Sequence, residues 1–169
     1  MIVCYVASCF PLLIQQKVDG SNFFNRSWEE FKVGFNDSRG NYWFGNERLH
    51  QQTSGHKLRF DLQARNGSWY YAEYRTFVVY SETVGYKIRV SGYSGNAGDA
   101  FGSHDGMMFT TYDRDNDPNG NNCAVFTGGG FWHKYCSGAT VNGISWNFRW
   151  LTENTGTTSL QSSHMWLVC

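Results

Sequence analysis

Hydrophobic and polar positions alternate through the middle of the chain. Leu58, Phe60 and Leu62 are separated by Arg59 and Asp61 and followed by Gln63, which predicts a half-buried strand. Tyr70, Ala72 and Tyr74 repeat the pattern against Glu73 and Arg75. The chain runs on through Phe77-Val78-Val79-Tyr80, turns between Glu82 and Gly85, and returns as Tyr86, Ile88 and Val90 against Lys87 and Arg89. Three consecutive strands joined by short polar turns predict an antiparallel sheet with helices packed against it. Upstream the period changes. Trp28, Phe31 and Phe35 recur at i, i+3 and i+7, behind the capping box Ser27-Trp28-Glu29-Glu30. These predict a short helix from Ser27 to Val33, stopped by Gly34. A second short helix is expected from Asn46 to Gln52, with Leu49 as its core contact, and a last strand from Ser159 to Val168.

Composition narrows the class. At 169 residues the chain fits one domain, and no repeat, linker or low-complexity tract divides it. Fourteen basic and fourteen acidic residues cancel, which argues against nucleic acid or an anionic membrane as the main partner. The 18% aromatic content, beside 19 Gly and 2 Pro, suits short strands and tight loops rather than a helical bundle. No apolar run is long enough to span a bilayer. From Gly92 to about Trp150 regular signals fade into Gly-, Asn- and Asp-rich sequence. Loops of that length are uncommon unless they bind something or are otherwise constrained.

Inside that region lies Asp113-Arg114-Asp115-Asn116-Asp117-Pro118-Asn119-Gly120-Asn121-Asn122. Its carboxylates would repel if held in one turn, and a hard cation with a taste for oxygen ligands, Ca2+ above all, removes the conflict. Asp115, Asp117, Asn119 and Gly120 match the first half of an EF-hand loop, but Phe126 stands where the terminal Glu belongs and no helical pattern flanks it. The alternative is a solvated acidic turn. Catalytic signatures are absent: there is no G-x-S-x-G elbow, P-loop or G-x-G-x-x-G, and the five His show no zinc-ligand spacing. A non-enzymatic protein is expected, with His104 making a structural hydrogen bond.

Several motifs then occur in a telling order. They are Val18-Asp19-Gly20-Ser21, Trp28-Glu29-Glu30-Phe31, Tyr42-Trp43-Phe44-Gly45-Asn46, Leu58-Arg59-Phe60-Asp61-Leu62 and Ala72-Glu73-Tyr74. Tyr86 to Ala100, the acidic loop, and Cys123 to Cys136 around Gly128-Gly129-Gly130-Phe131-Trp132 complete the set. Together they resemble a fibrinogen-related domain, the globular module of ficolins, tachylectin-type lectins, angiopoietins and fibrinogen. The resemblance implies an α+β fold: a twisted antiparallel sheet with two short helices (15–91) and a loop-rich, calcium-binding C-terminal half (92–169). It implies Ca2+ ligation by the carboxylates of Asp115 and Asp117 and the carbonyls of Asn119 and Asn121, with Asp113 outside the ligand set. It also implies a Cys123–Cys136 disulfide, worth about 3 kcal/mol by chain entropy, and an oxidising compartment.

The family's ligand pocket lies beside that loop, where the bond before the second cysteine (here Tyr135-Cys136) is typically cis. Expected ligand-binding residues are Tyr135, the amides of Cys136 and Ser137, and the rings of Phe131 and Trp146, with Trp132 as a further aromatic; a core role is the competing reading for Trp132 and Trp146. Ser137 replaces the His of several acetyl-binding members. Asn142-Gly143-Ile144-Ser145-Trp146 fuses two motifs that the family separates by a loop, which removes one pocket wall. Residues 1–14 form an apolar segment with the character of a leader remnant, but no basic residue precedes it and the family's first subdomain is missing, so a shortened chain is the expectation. Five cysteines leave at least one unpaired or bonded to another chain; Cys4, Cys9 and Cys169 have no counterparts in the family. Sequons at Asn25, Asn36 and Asn66 agree with secretion.

The functional expectation is a secreted, calcium-dependent, lectin-like module that binds acetylated sugars or related groups on glycans in pattern recognition, as a homo-oligomer. The alternative is a protein-binding receptor ligand or extracellular-matrix module of the same fold, without sugar binding.

Overall fold

The computed structural model describes residues 10–152 and 156–169. Nine strands form one antiparallel system. Seven lie in the order β2-β3-β1-β9-β4-β5-β6: β1 is Leu12–Lys17, β2 Phe35–Asn36, β3 Tyr42–Trp43, β4 Lys57–Ala64, β5 Trp69–Val79, β6 Ile88–Gly95 and β9 Gly156–Val168. The short strands β7 (Ala139–Thr140) and β8 (Arg149–Thr152) add to the start of β9. Three helices accompany them: α1 (Trp28–Val33), α2 (Asn46–Gln52) and α3 (Cys123–Thr127). None of the described helices is long and apolar enough to cross a membrane.

The local signals act as expected at α1. Ser27 caps the helix, Glu30 reaches back to the Ser27 amide, and Gly34 ends it. Trp28 and Phe31 face inward. β4 buries every second residue, Leu58, Phe60, Leu62 and Ala64. In β5 the buried phase changes, from Ala72 and Tyr74 to Phe77 and Val79. The change falls where Arg75 and Gly92 drop out of the β5–β6 register. Gly92 has φ 76°, and a Cβ there would meet the Cβ of Arg75 at 2.9 Å, so only glycine lets the ladder turn over at this point.

Two expectations need correction. The sequence expectation ends the apolar N-terminal segment at residue 14, whereas Leu12, Leu13 and Ile14 belong to β1, a strand flanked by β3 and β9. The strand's apolar residues come first and its buried positions continue through the polar Gln15 and Lys17, so hydropathy alone ends the segment too early. Residues 1–9, including Cys4 and Cys9, lie outside the described residues. The loop-rich half also contains a third helix, α3, a single turn too short for its periodicity to show.

Lys17, at the end of β1, is fully buried. Its ammonium donates to the Ser21 carbonyl at 2.7 Å and sits 5.3 and 5.4 Å from the ring centres of Phe24 and Phe148. Burial pulls its pKa down to about 8, with Asp19 opposing and Arg39 assisting. Between pH 8 and 10.5 the unfolded chain therefore binds the extra proton, and this group's contribution to stability rises with pH across that window. Denaturant titrations should show the wild-type stability minus that of Lys17→Met climbing by about 3 kcal/mol over the window. A flat difference would mean the ammonium pays no desolvation cost.

Candidate functional site

The acidic loop is built from its own side chains. Asp115 Oδ1 accepts from the Asp117 amide at 3.3 Å, Asp117 Oδ1 from the Asn119 amide at 2.9 Å, and Asn119 Oδ1 from the Asn121 amide at 3.0 Å. A D-x-D-x-N-x-N spacing thus becomes three successive side-chain turns. Asp117 Oδ2 accepts from the Cys123 amide at 2.9 Å, tying the loop to the start of α3. Asn116 donates to the Phe109 carbonyl and Asn122 to that of Thr111. Asp113 stands apart: it accepts from the Trp28 amide at 2.9 Å and from the Thr111 hydroxyl at 2.7 Å, which caps α1 across 85 residues of sequence.

Asp115 and Asp117 have no ion-pair partner among the described residues. The Asp117 carboxyl is pushed above its ordinary pKa, chiefly by burial; the amides of Cys123 and Asn119 oppose this and the charge of Asp115 adds to it. No cluster of three or more His, Cys, Asp or Glu is placed to hold a metal among the described residues. Any cation here would take two carboxylates and complete its shell with backbone carbonyls, a donor set of hard oxygens that suits Ca2+.

The neighbouring loop is clamped at three points. Cys123 and Cys136 are disulfide-bonded, with Cα atoms 4.8 Å apart. His104, fully buried, donates from Nδ1 to the Trp132 carbonyl at 2.6 Å and accepts at Nε2 from the Ala139 amide at 3.2 Å, so one ring holds both ends of segment 132–139. Burial lowers the pKa of His104 and of His133 to about 4 each, which keeps both rings neutral near pH 7. Cys169 is also disulfide-bonded, so it is not the odd thiol.

No peptide bond among the described residues is cis. The cis Tyr135-Cys136 bond expected from the family is not adopted; Cys136 instead takes φ 54°, the left-handed region, which reverses the chain at a cost of about 1–2 kcal/mol. The amides of Cys136 and Ser137 make no hydrogen bond within the described protein. Tyr135 and Ser137 line an open depression of about 320 Å³ with Lys134, Gly138, Ser103 and Leu151. Sequence reasoning missed Lys134, although it adjoins Tyr135; Ser103 and Leu151 arrive from remote segments and carried no signal.

Two expected wall residues are not brought here. Phe131 is fully buried, and its backbone bridges Thr110. Trp146 is 61% exposed but packs edge-on against Phe126 at 5.6 Å, away from the depression. The tight turn through Asn142-Gly143-Ile144 explains this: Ile144 donates to the Thr127 carbonyl and Asn147 Nδ2 to that of Phe126, which draws Trp146 onto α3. Trp132 lies in the core.

A sheet-and-helix scaffold that carries a disulfide-clamped, loop-built face is the architecture of a fibrinogen-type globular domain. Residues 9–167 match the family described as fibrinogen beta and gamma chains, C-terminal globular domain, and the chain belongs to it. The human fibrinogen alpha chain is 44% identical over 149 residues, covering 79% of this chain and 17% of its own length. Human ficolin-3 is 39% identical over 135 residues, covering 78% of this chain and 45% of its own length. The chain thus spans less than half the length of these relatives. Among solved structures, the fibrinogen-like globe domain of human ANGPTL2 superposes with a TM-score of 0.84 at 35% identity, over 93% of this chain and 79% of that one. A lamprey fibrin D-dimer complexed with the peptide Gly-His-Arg-Pro-amide gives 0.77 at 29% identity, over 92% and 60%.

Opening the clamp should be costly. The Cys123→Ser, Cys136→Ser double variant should lose about 3 kcal/mol of stability in denaturant titration. A loss below about 1 kcal/mol would show that His104 and the side-chain turns hold the loop without the crosslink.

Proposed function

We propose that this chain is a secreted, calcium-stabilised recognition module that binds an acetylated or anionic group on a glycan at the Lys134–Tyr135–Ser137 depression. The supporting observation is the unengaged amide of Ser137, which lines the depression with a cation and an exposed aromatic ring and has the unengaged amide of Cys136 next to it in the chain. Two such amides can donate to an acetyl carbonyl or a carboxylate, Lys134 adds charge, and the face of Tyr135 covers a methyl group or a sugar ring. Without Phe131 or Trp146 as walls the pocket is shallow and each site weak. Presentation on a homo-oligomer would raise avidity. A glycan array should show acetylated or acidic sugars bound by the wild type, with signal lost in chelator and in Tyr135→Ala. An array blank in calcium overturns the sugar reading.

Ca2+ fits the acidic loop on the same terms, through the carboxylates of Asp115 and Asp117 and the carbonyls of Asn119 and Asn121. When bound it would neutralise the two facing carboxylates and stiffen the segment that leads into Cys123. At free calcium about 100-fold above Kd the bound form gains about 2.7 kcal/mol. Asp115→Ala and Asp117→Ala should each abolish that gain and change melting little in chelator. Equal melting shifts with and without calcium would exclude a metal at this loop.

A second reading, recognition of an extracellular protein, draws on the exposed Phe126–Trp146 pair. It becomes the leading one if the array is blank and Trp146→Ala leaves folding intact.

A further inference from the structure

A second depression is lined by residues that precede and follow the acidic loop in the chain. Its volume is about 430 Å³, and it is lined by Asn25, Tyr112 and Val125. Tyr112 is 47% and Val125 62% exposed, an apolar surface with no protein neighbour to cover it. Three segments meet here: the turn before α1, the turn at Tyr112, and α3 on the far side of the acidic loop in the chain. Asn25 is exposed, its side-chain amide makes no hydrogen bond within the described protein, and it opens the acceptor triplet Asn25-Arg26-Ser27. The other two acceptors are placed differently. Asn36 lies in β2, paired with β3, and the side-chain oxygen of Asn66 is engaged by the Ser68 amide at 3.0 Å.

We infer that Asn25 carries an N-linked glycan whose first sugars lie in this depression and cover Tyr112 and Val125. The inference rests on the secretory reading above. The donor is a lipid-linked oligosaccharide diphosphate. A bond forms from the Asn25 side-chain nitrogen to the sugar's C1, the C1–oxygen bond to the diphosphate breaks, and the amide proton passes to a base as the lipid diphosphate leaves. Transfer acts on the unfolded chain, before the Ser27 hydroxyl is taken up by Glu30 in the cap of α1. Once the chain folds, a core sugar held at Asn25 has its apolar face against the Tyr112 ring, and the occupant is tethered at the rim of the cavity it fills. Such a glycan would also screen one side of the loop that contains Asp115 and Asp117 without touching the Tyr135 depression.

The test uses the full chain, secreted from a eukaryotic host. Peptide mapping after amidase deglycosylation should find Asn25 occupied in the wild type and in Ser27→Thr, which preserves both acceptor and cap. Nitration of the native protein should label Tyr112 several-fold more slowly in the wild type than in Asn25→Gln. Trimming with an endoglycosidase that leaves only the first sugar should keep most of that protection. Asn25 bare while Asn36 or Asn66 is occupied overturns this inference and leaves the secretory reading standing. Asn25 occupied with Tyr112 labelled as fast as in Asn25→Gln overturns the packing. All three acceptors bare also overturns the inference, whereas failure of the chain to leave the host cell would overturn the secretory reading itself.

Discussion

The structure depends on the burial of Trp132. Its ring sits 5.1 Å from Phe109, 5.4 Å from Phe131, 5.9 Å from Trp43, 6.0 Å from Phe77 and 6.3 Å from Phe101. Those partners come from β3, β5 and the loop-rich half, so one side chain joins the sheet to the part of the chain with least regular structure. Its indole nitrogen donates to the Tyr86 carbonyl at 2.7 Å, which removes the penalty for burying it. The Trp132 carbonyl in turn accepts from His104, whose other nitrogen receives the Ala139 amide. The aromatic core and the disulfide-clamped loop are therefore consecutive links of one chain of contacts.

Beyond that anchor the C-terminal half is ordered by polar groups in place of a ladder. Asn116 and Asn122 tie the acidic loop to the backbone of 109–111, Asn142 donates to the Gly130 carbonyl, and Gln15 reaches from β1 to Asn142 at 3.0 Å. Each bond is modest alone, but a buried partner left unsatisfied would cost more than the bond contributes. The network thus fixes one conformation rather than adding much net stability. What it leaves free is informative: the amides of Cys136 and Ser137 find no partner within the described protein, while His104 and the disulfide hold the segment they belong to.

How much of this could be read from the sequence varied with the length scale of each signal. α1 was legible to the residue because the capping box and Gly34 are local and independent of packing. The alternation in β4 was equally plain, since one face meets the core and the other meets charges. β1 was not, because its apolar residues Leu12, Leu13 and Ile14 continue an apolar N-terminal run while its other buried residues, Gln15 and Lys17, are polar. α3 was hidden by its brevity and by Val125 and Thr127, which are poor helix formers. At the site, the motif order located the disulfide and the loop. It misplaced Phe131 and Trp146, whose exposure is decided by tertiary packing rather than by residue type. Lys134 escaped notice because a lone lysine in a loop resembles any solvated charge.

The short turn through Asn142-Gly143-Ile144 has consequences on two surfaces at once. Gly143 sits where a side chain would collide with the Asn147 carbonyl, and the Thr140 hydroxyl meets that same carbonyl. The turn therefore cannot relax outward, and Trp146 emerges on the α3 side. The Tyr135 depression is left with the Ser137 amide and the Lys134 cation but no tryptophan wall. It also builds an apolar patch from Phe126 and Trp146 on the adjacent flank. A single backbone constraint thus trades enclosure at one surface for apolar exposure at the other.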